Sequence, residues 1–182
     1  MTIIAAAEDT NGYWIASDSQ GVTNDTCLEL GPKLINKENY IVGFSYSYRV
    51  KDLILECNSF PEKIGSIKGF RKFRDVLKKL MLEDGCLATA GSSETLLHPI
   101  SLLVISPSGI YEMGSDYQIH KVKKYAAIGS GMDFALGALK ATLATTKSAQ
   151  QSVEEAVSAA IFHSATCGGN IHKDYIAKKG HK

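Results

Sequence analysis

The sequence predicts an α+β chain in which two β-sheets are sandwiched between layers of helices. Three observations predict it. Short apolar runs with strand-like patterning form two groups, over residues 2–44 and 100–128. Each group is followed by two successive segments with helical spacing, and a last strand-like run closes the chain at 171–178. Sheets and helices that are each apolar on one side bury those sides by stacking in layers. With 182 residues and 45% hydrophobic content, the chain is long enough for one domain, 1–182, with a substantial core.

The elements follow in order. Residues 2–7 read as a strand, residues 8–12 as a turn with Asn11-Gly12 at its tip, and residues 13–17 as the partner strand of a hairpin. Gly31-Pro32 turns the chain into a strand opened by Lys33, and residues 40–44 form the next. A helix is expected over 48–57, with Val50, Leu53, Ile54 and Cys57 on one face. A second is expected over 69–83, with Phe70, Phe73, Leu77, Leu80 and Met81 on its stripe. Residues 85–99 read as a polar linker. Residues 100–106 and 110–113 form a hairpin about Pro107-Ser108-Gly109, and residues 121–128 a single further strand. Alanine-rich helices are expected over 132–145 and 149–164, apolar enough to lie against a sheet.

Charge and cysteine content narrow the function classes. Lys plus Arg number 20 against 19 Asp plus Glu, so the net charge of +1 argues against wholesale nucleic-acid binding. The seven basic residues between Lys63 and Lys79 are offset by Glu62, Asp75 and Glu83, and the aromatic residues there lie on the apolar stripe, where they cannot stack on bases. Cys27, Cys57, Cys86 and Cys167 are widely spaced, as expected of reduced cytoplasmic thiols. The N-terminal apolar run stops at Glu8-Asp9, too soon for a signal peptide or a membrane span. His163, Cys167 and His172 fit no zinc spacing, so neither a metal nor another cofactor is expected.

Thr2 is the residue on which function turns. Alone, it reads as the second residue of an edge strand. If Met1 is removed, its hydroxyl and a free α-amine stand on one residue, a nucleophile with its own base. An α-amine has a pKa of about 7.7 to 8.0, so no histidine is needed near neutral pH. Hairpin pairing brings Asp18 near Thr2. Lys33 reads as an ordinary solvated lysine, or, if it points inward, as the cation that pairs with Asp18 and eases formation of the alkoxide. Gly129-Ser130-Gly131 lacks the third glycine and the lysine of phosphate-binding turns, leaving a tight turn that delivers the Ser130 hydroxyl to a site. Cys167 with a histidine is a weaker nucleophile pair, because no orienting group accompanies it.

Taken together, Thr2 after one Met, Asp18-Ser19, Lys33-Leu34-Ile35, Gly43-Phe44 and Ala127-Ile128-Gly129-Ser130-Gly131 before an alanine-rich helix resemble the proteasome β-subunit and HslV-like family of N-terminal nucleophile hydrolases. The resemblance runs in order along nearly the whole chain. It implies a four-layer αββα fold and a threonine peptidase, with Thr2 as nucleophile and its amine as general base. Lys33 would tune the nucleophile, Asp18 would hold Lys33, and Ser130 would contact the amine. The Tyr46 amide would serve the oxyanion, and Ser19, Gly129, Gly131, Ser164 and Cys167 would support the site. It further implies polypeptide substrates, a homo-oligomeric ring and an ATP-dependent unfoldase as partner.

The chain departs from the family pattern at two points. Ser45-Tyr46-Ser47-Tyr48 stands where small residues are usual, so two tyrosines would narrow the pocket. Ser164 and Cys167 stand where the family places an Asp and, three residues on, a Ser. These departures leave open a catalytically silent assembly subunit, and the fold also suits an amidase acting on small molecules.

Overall fold

The run that follows Thr2 forms the strand β1 (Ile3–Glu8), whose first five residues are fully buried. Its alternation separates two interfaces. Ile3, Ala5 and Ala7 face one way, toward a core shared with helices, and Ile4 and Ala6 face the other, toward a second sheet. A strand buried on both faces has to be apolar throughout, and this one is until Glu8. The computed structural model describes residues 2–23, 26–90, 93–96, 100–145 and 148–180.

β1 lies between β2 (Gly12–Ser17) and β12 (Tyr125–Gly129), and β13 (His172–Ala177) extends the sheet beyond β2, all antiparallel. The second sheet runs β11 (Ile119–Val122), β10 (Gly109–Met113), β9 (Ser101–Ser106), β6 (Ile41–Ser45) and β5 (Leu34–Asn36). The sheets meet through Ile4, Ala6 and Ile15 on one side and Ile41, Leu103 and Ile105 on the other. They approach closely at Gly43, where a Cβ would stand 2.7 Å from Ile4 Cγ2.

Helices close both outer faces. α3 (Met132–Thr142) and α4 (Ala149–His163) cover the first sheet with Ala135, Leu139, Val153, Ala156 and Ala160 against Ile3 and Ala5, small side chains that allow close approach. A capping box starts α4, with Ser148 Oγ accepting from Gln151 N at 3.2 Å. On the other face α1 (Arg49–Glu56) and α2 (Ile67–Glu83) bring Val50, Ile54, Phe70, Phe73, Leu77 and Met81 onto Val42, Phe44, Leu102 and Val104. The α+β class and the layered order expected from the sequence are what the chain adopts.

Two local expectations are corrected, and one hairpin is added. Residues 121–128 are not one strand. The left-handed turn at Lys124 (φ 69°) ends β11 and starts β12 in the opposite sheet. The expected linker at 85–99 holds the hairpin of β7 (Leu87–Ala90) and β8 (Ser93–Leu96), while residues 91, 92 and 97–99 lie outside the described residues. A further hairpin, β3 (Gln20–Thr23) with β4 (Thr26–Glu29), follows Asp18. Among the described residues, no helix is long and apolar enough to cross a membrane.

Candidate active site

Antiparallel pairing builds the site. The strands on both sides of β1 run against it, so their C-terminal ends meet its start: Gly129 pairs with Ile3 and Ser17 with Ile4. Ser130 and Asp18, the residues just beyond, therefore flank Thr2. β13 begins opposite Ser17, and this carries the segment before it, residues 164–170, to the same end. Lys33 arrives from the second sheet, preceding β5, and its carbonyl accepts from Phe44 N at 3.2 Å.

The Asp18 carboxylate is fully buried and satisfied three times. Oδ1 accepts from Lys33 Nζ at 2.7 Å and from Ile3 N at 3.1 Å, and Oδ2 accepts from Gly168 N at 3.2 Å. Both side chains of the Asp18–Lys33 pair have no solvent exposure. Nζ also donates to Gln20 O at 2.6 Å. Sharing Oδ1 with the Ile3 amide pins the ammonium beside the residue that follows Thr2. Burial pulls Lys33 below the usual lysine range, opposed by the Asp18 carboxylate, its hydrogen bond and more distant charges. Lys33 thus points inward and pairs with Asp18, and it is not a solvated surface lysine.

On the opposite side Thr2 N donates to Ser130 Oγ at 3.3 Å, and Gly131 N to Thr2 O at 3.4 Å. Gly129 has a φ of 100°, and a Cβ there would collide with the Thr2 carbonyl, so the turn requires glycine twice over. A Cβ on Gly131 would come within 2.8 Å of both Ala160 Cβ and Cys167 Sγ, and glycine there lets α3 start against β1 and α4. Ser130 Oγ lies 2.8 Å from Thr166 Oγ1, which lies 2.8 Å from Ser164 Oγ. Ser164 thus reaches Ser130 only through Thr166, while buried Cys167 has its Sγ 3.9 Å from Ser130 Oγ.

Ser19 is buried and serves the loop. Its Oγ accepts from Asn170 N at 2.7 Å, and its amide donates to Gly168 O at 3.2 Å. Tyr46 follows β6 at the end of the sandwich where Lys33 lies. Its φ is 81° and its side chain is 56% exposed, and such strain in a residue other than glycine gathers at functional sites. Only one of the two tyrosines stands in the open. The Tyr48 ring packs edge-on to Phe44 at 5.3 Å, and burial, aided by Asp18 and Glu29, pushes its phenol up to about 12. His163 stacks on Phe134 at 5.4 Å.

Thr166, Gly168 and the Gln20 carbonyl were not singled out from sequence. Backbone donors and acceptors carry no residue signature, and a threonine in a turn is unremarkable. Met1 lies outside the described residues.

No family model matches the chain, and no curated protein matches it. Solved structures do. BPH of Thiobacillus denitrificans superposes with a TM-score of 0.86 at 18% identity, over 98% of this chain and 100% of that one. Its complex with epoxomicin gives 0.83 at 19% identity with the same coverage. The chain has the fold of these proteins. HslV from Trypanosoma brucei shares it, with a TM-score of 0.71 at 17% identity over 97% of this chain and 99% of that one. The four-layer αββα architecture implied by the sequence resemblance is the architecture observed.

Proposed function

We propose that the chain is a threonine-type peptidase, one hydrolase domain over 1–182, with Thr2 as its nucleophile once Met1 is removed. The observation that carries this reading is the convergence on Thr2 of a buried Lys33–Asp18 pair from one side and the Ser130 hydroxyl from the other. Building a buried charge pair is costly, and removing one partner strands the other, so its position beside a candidate nucleophile favours a chemical role. The complex of BPH with epoxomicin supports the same reading by analogy of fold.

In this mechanism the free amine of Thr2, through a water, takes the hydroxyl proton as Oγ1 attacks a peptide carbonyl carbon. Lys33 stabilises the developing alkoxide by its charge, and Asp18 fixes Lys33. The oxyanion is held by the Tyr46 amide. Collapse breaks the C–N bond and the leaving amine takes the proton, leaving an ester on Thr2 that water hydrolyses. The substrates are unfolded polypeptides, and the setting is a cytoplasmic homo-oligomeric ring fed by an ATP-dependent unfoldase. Degradation of an unfolded polypeptide by the processed protein, abolished in Thr2→Ala, is the expected result. Equal hydrolysis by Thr2→Ala would remove Thr2 from the reaction.

One observation favours a second reading, a catalytically silent assembly subunit. The exposed and strained Tyr46 stands where a small residue would leave a pocket open. Under that reading the protein from its native host retains Met1 and cleaves nothing.

A further inference from the structure

The burial of β1 carries an inference about when the nucleophile is made, and it rests on the reading of Thr2 as that nucleophile. Freeing the Thr2 amine takes one reaction, hydrolysis of the Met1–Thr2 amide. Water adds to the methionine carbonyl carbon, the C–N bond breaks, methionine leaves as a free acid and the Thr2 nitrogen takes the proton. The small side chain of Thr2 suits an aminopeptidase that removes N-terminal methionine. Such a peptidase has to close around the first residues of an extended chain end.

The fold offers no such end. Thr2 is 3% exposed, and Ile3, Ile4, Ala5, Ala6 and Ala7 are fully buried. The backbone groups at the start of β1 are engaged one after another. Thr2 N donates to Ser130 Oγ at 3.3 Å, and Thr2 O accepts from Gly131 N at 3.4 Å. Ile3 N donates to Asp18 Oδ1 at 3.1 Å, and Ile3 O accepts from Asp18 N at 3.2 Å. From Ile4 onward β1 is paired to β2 on one side and β12 on the other. Its two faces meet the α3–α4 layer and the second sheet. A chain end frays when it is not tied down, and this one is tied down on all four sides. Lifting residues 2–4 into another protein's cleft takes Ile3 out of one core and Ile4 out of the other, an opening that approaches global unfolding. We infer that Met1 is removed before β1 enters the sheet: methionine excision precedes folding, and a chain that folds with Met1 in place is trapped without its amine. The reaction class that supplies the active protein is therefore hydrolysis of the nascent chain by a methionine aminopeptidase.

The test makes the full chain by cell-free translation without methionine aminopeptidase activity, and adds the purified peptidase either during synthesis or after folding. Released methionine and the mass of the N-terminal peptide give the rate. A peptide of residues 1–8 gives the rate for an unstructured end, and a cooperative melt shows that the second sample has folded. Folded small domains outweigh their unfolded forms by about 10³ to 10⁸. Removal from the folded chain is therefore expected to be at least about a thousandfold slower than from the peptide, whereas the chain made with the peptidase present begins at Thr2. Removal from the folded chain at a rate near that of the peptide would overturn the order of steps. So would loss of Met1 from the folded chain with no peptidase added, because the chain would then process itself, and so would retention of Met1 in both samples while the peptide is cleaved. Epoxomicin separates this from the reading of Thr2. If the order holds but the chain that begins at Thr2 takes up no inhibitor, the nucleophile reading falls and the order of excision and folding stands.

Discussion

The two sides of Thr2 are built on different physics. On one side stands an ion pair with no solvent exposure, Asp18 with Lys33, held by three donors to the carboxylate. On the other stands a run of neutral hydroxyls, Ser130, Thr166 and Ser164, partly open to solvent and steered by a glycine turn. The charged side is expensive to bury and unforgiving of partial loss. The neutral side, without a charge to desolvate, costs little to build. Under the proposed function, a nucleophile whose base is its own amine would have use for both a buried positive charge and neutral hydroxyl partners.

The largest expected effect comes from breaking the charged side by half. Asp18→Ala leaves the Lys33 ammonium buried without its carboxylate and should cost roughly 3–5 kcal/mol, read from the denaturant midpoint. The double variant Asp18→Asn with Lys33→Met removes both charges at similar shape and should recover most of that stability while remaining inactive. A double variant as unstable as the single one would mean that packing, and not the stranded charge, sets the cost.

The neutral side is more tolerant, and its weak point is the backbone. Gly129→Ala puts a Cβ against the Thr2 carbonyl at a φ of 100°. It should destabilise by about 1–3 kcal/mol, and shift Thr2 enough to lower activity more than stability. An unchanged melting temperature and rate would show that the turn relaxes without moving Thr2.

The smallest effect sharpens the contrast through pH. Lys33 titrates lower in the folded chain than the ordinary 10.5 because burial outweighs its attraction to Asp18. Between its folded pKa and 10.5 the unfolded chain holds a proton that the folded chain has released, so stability contributed by this group rises with pH in that window and is flat below it. Denaturation of wild type relative to the Asp18→Asn, Lys33→Met double variant, followed into the alkaline range, should show that rise. A difference that falls with pH over the same window would reverse the assignment. The hydroxyl side contributes no such slope.

How much of this was legible in the sequence depended on whether a feature was written in side chains. Asn11-Gly12 marked the first hairpin, and with it the approach of Asp18 to Thr2. Gly129-Ser130-Gly131 marked the turn, and the apolar run at 100–106 with its Pro107-Ser108-Gly109 turn marked a hairpin of the second sheet. The β3–β4 hairpin escaped because the residues of β4 are all exposed, leaving no alternation to detect. The break at Lys124 escaped because lysine does not advertise a left-handed turn. Lys33 could be read as solvated or buried, since only the opposing sheet decides which. Thr166 carried no signal, because its contact with Ser130 exists only once the end of α4 and the turn after β12 are brought together.

The most direct measurement is the mass of the N-terminal peptide of protein purified from its native host, after exposure to epoxomicin. The account predicts a chain that begins at Thr2, with the inhibitor attached to that residue and absent from Thr2→Ala. A chain that begins at Thr2 and takes up no inhibitor, or one that keeps Met1, would contradict it.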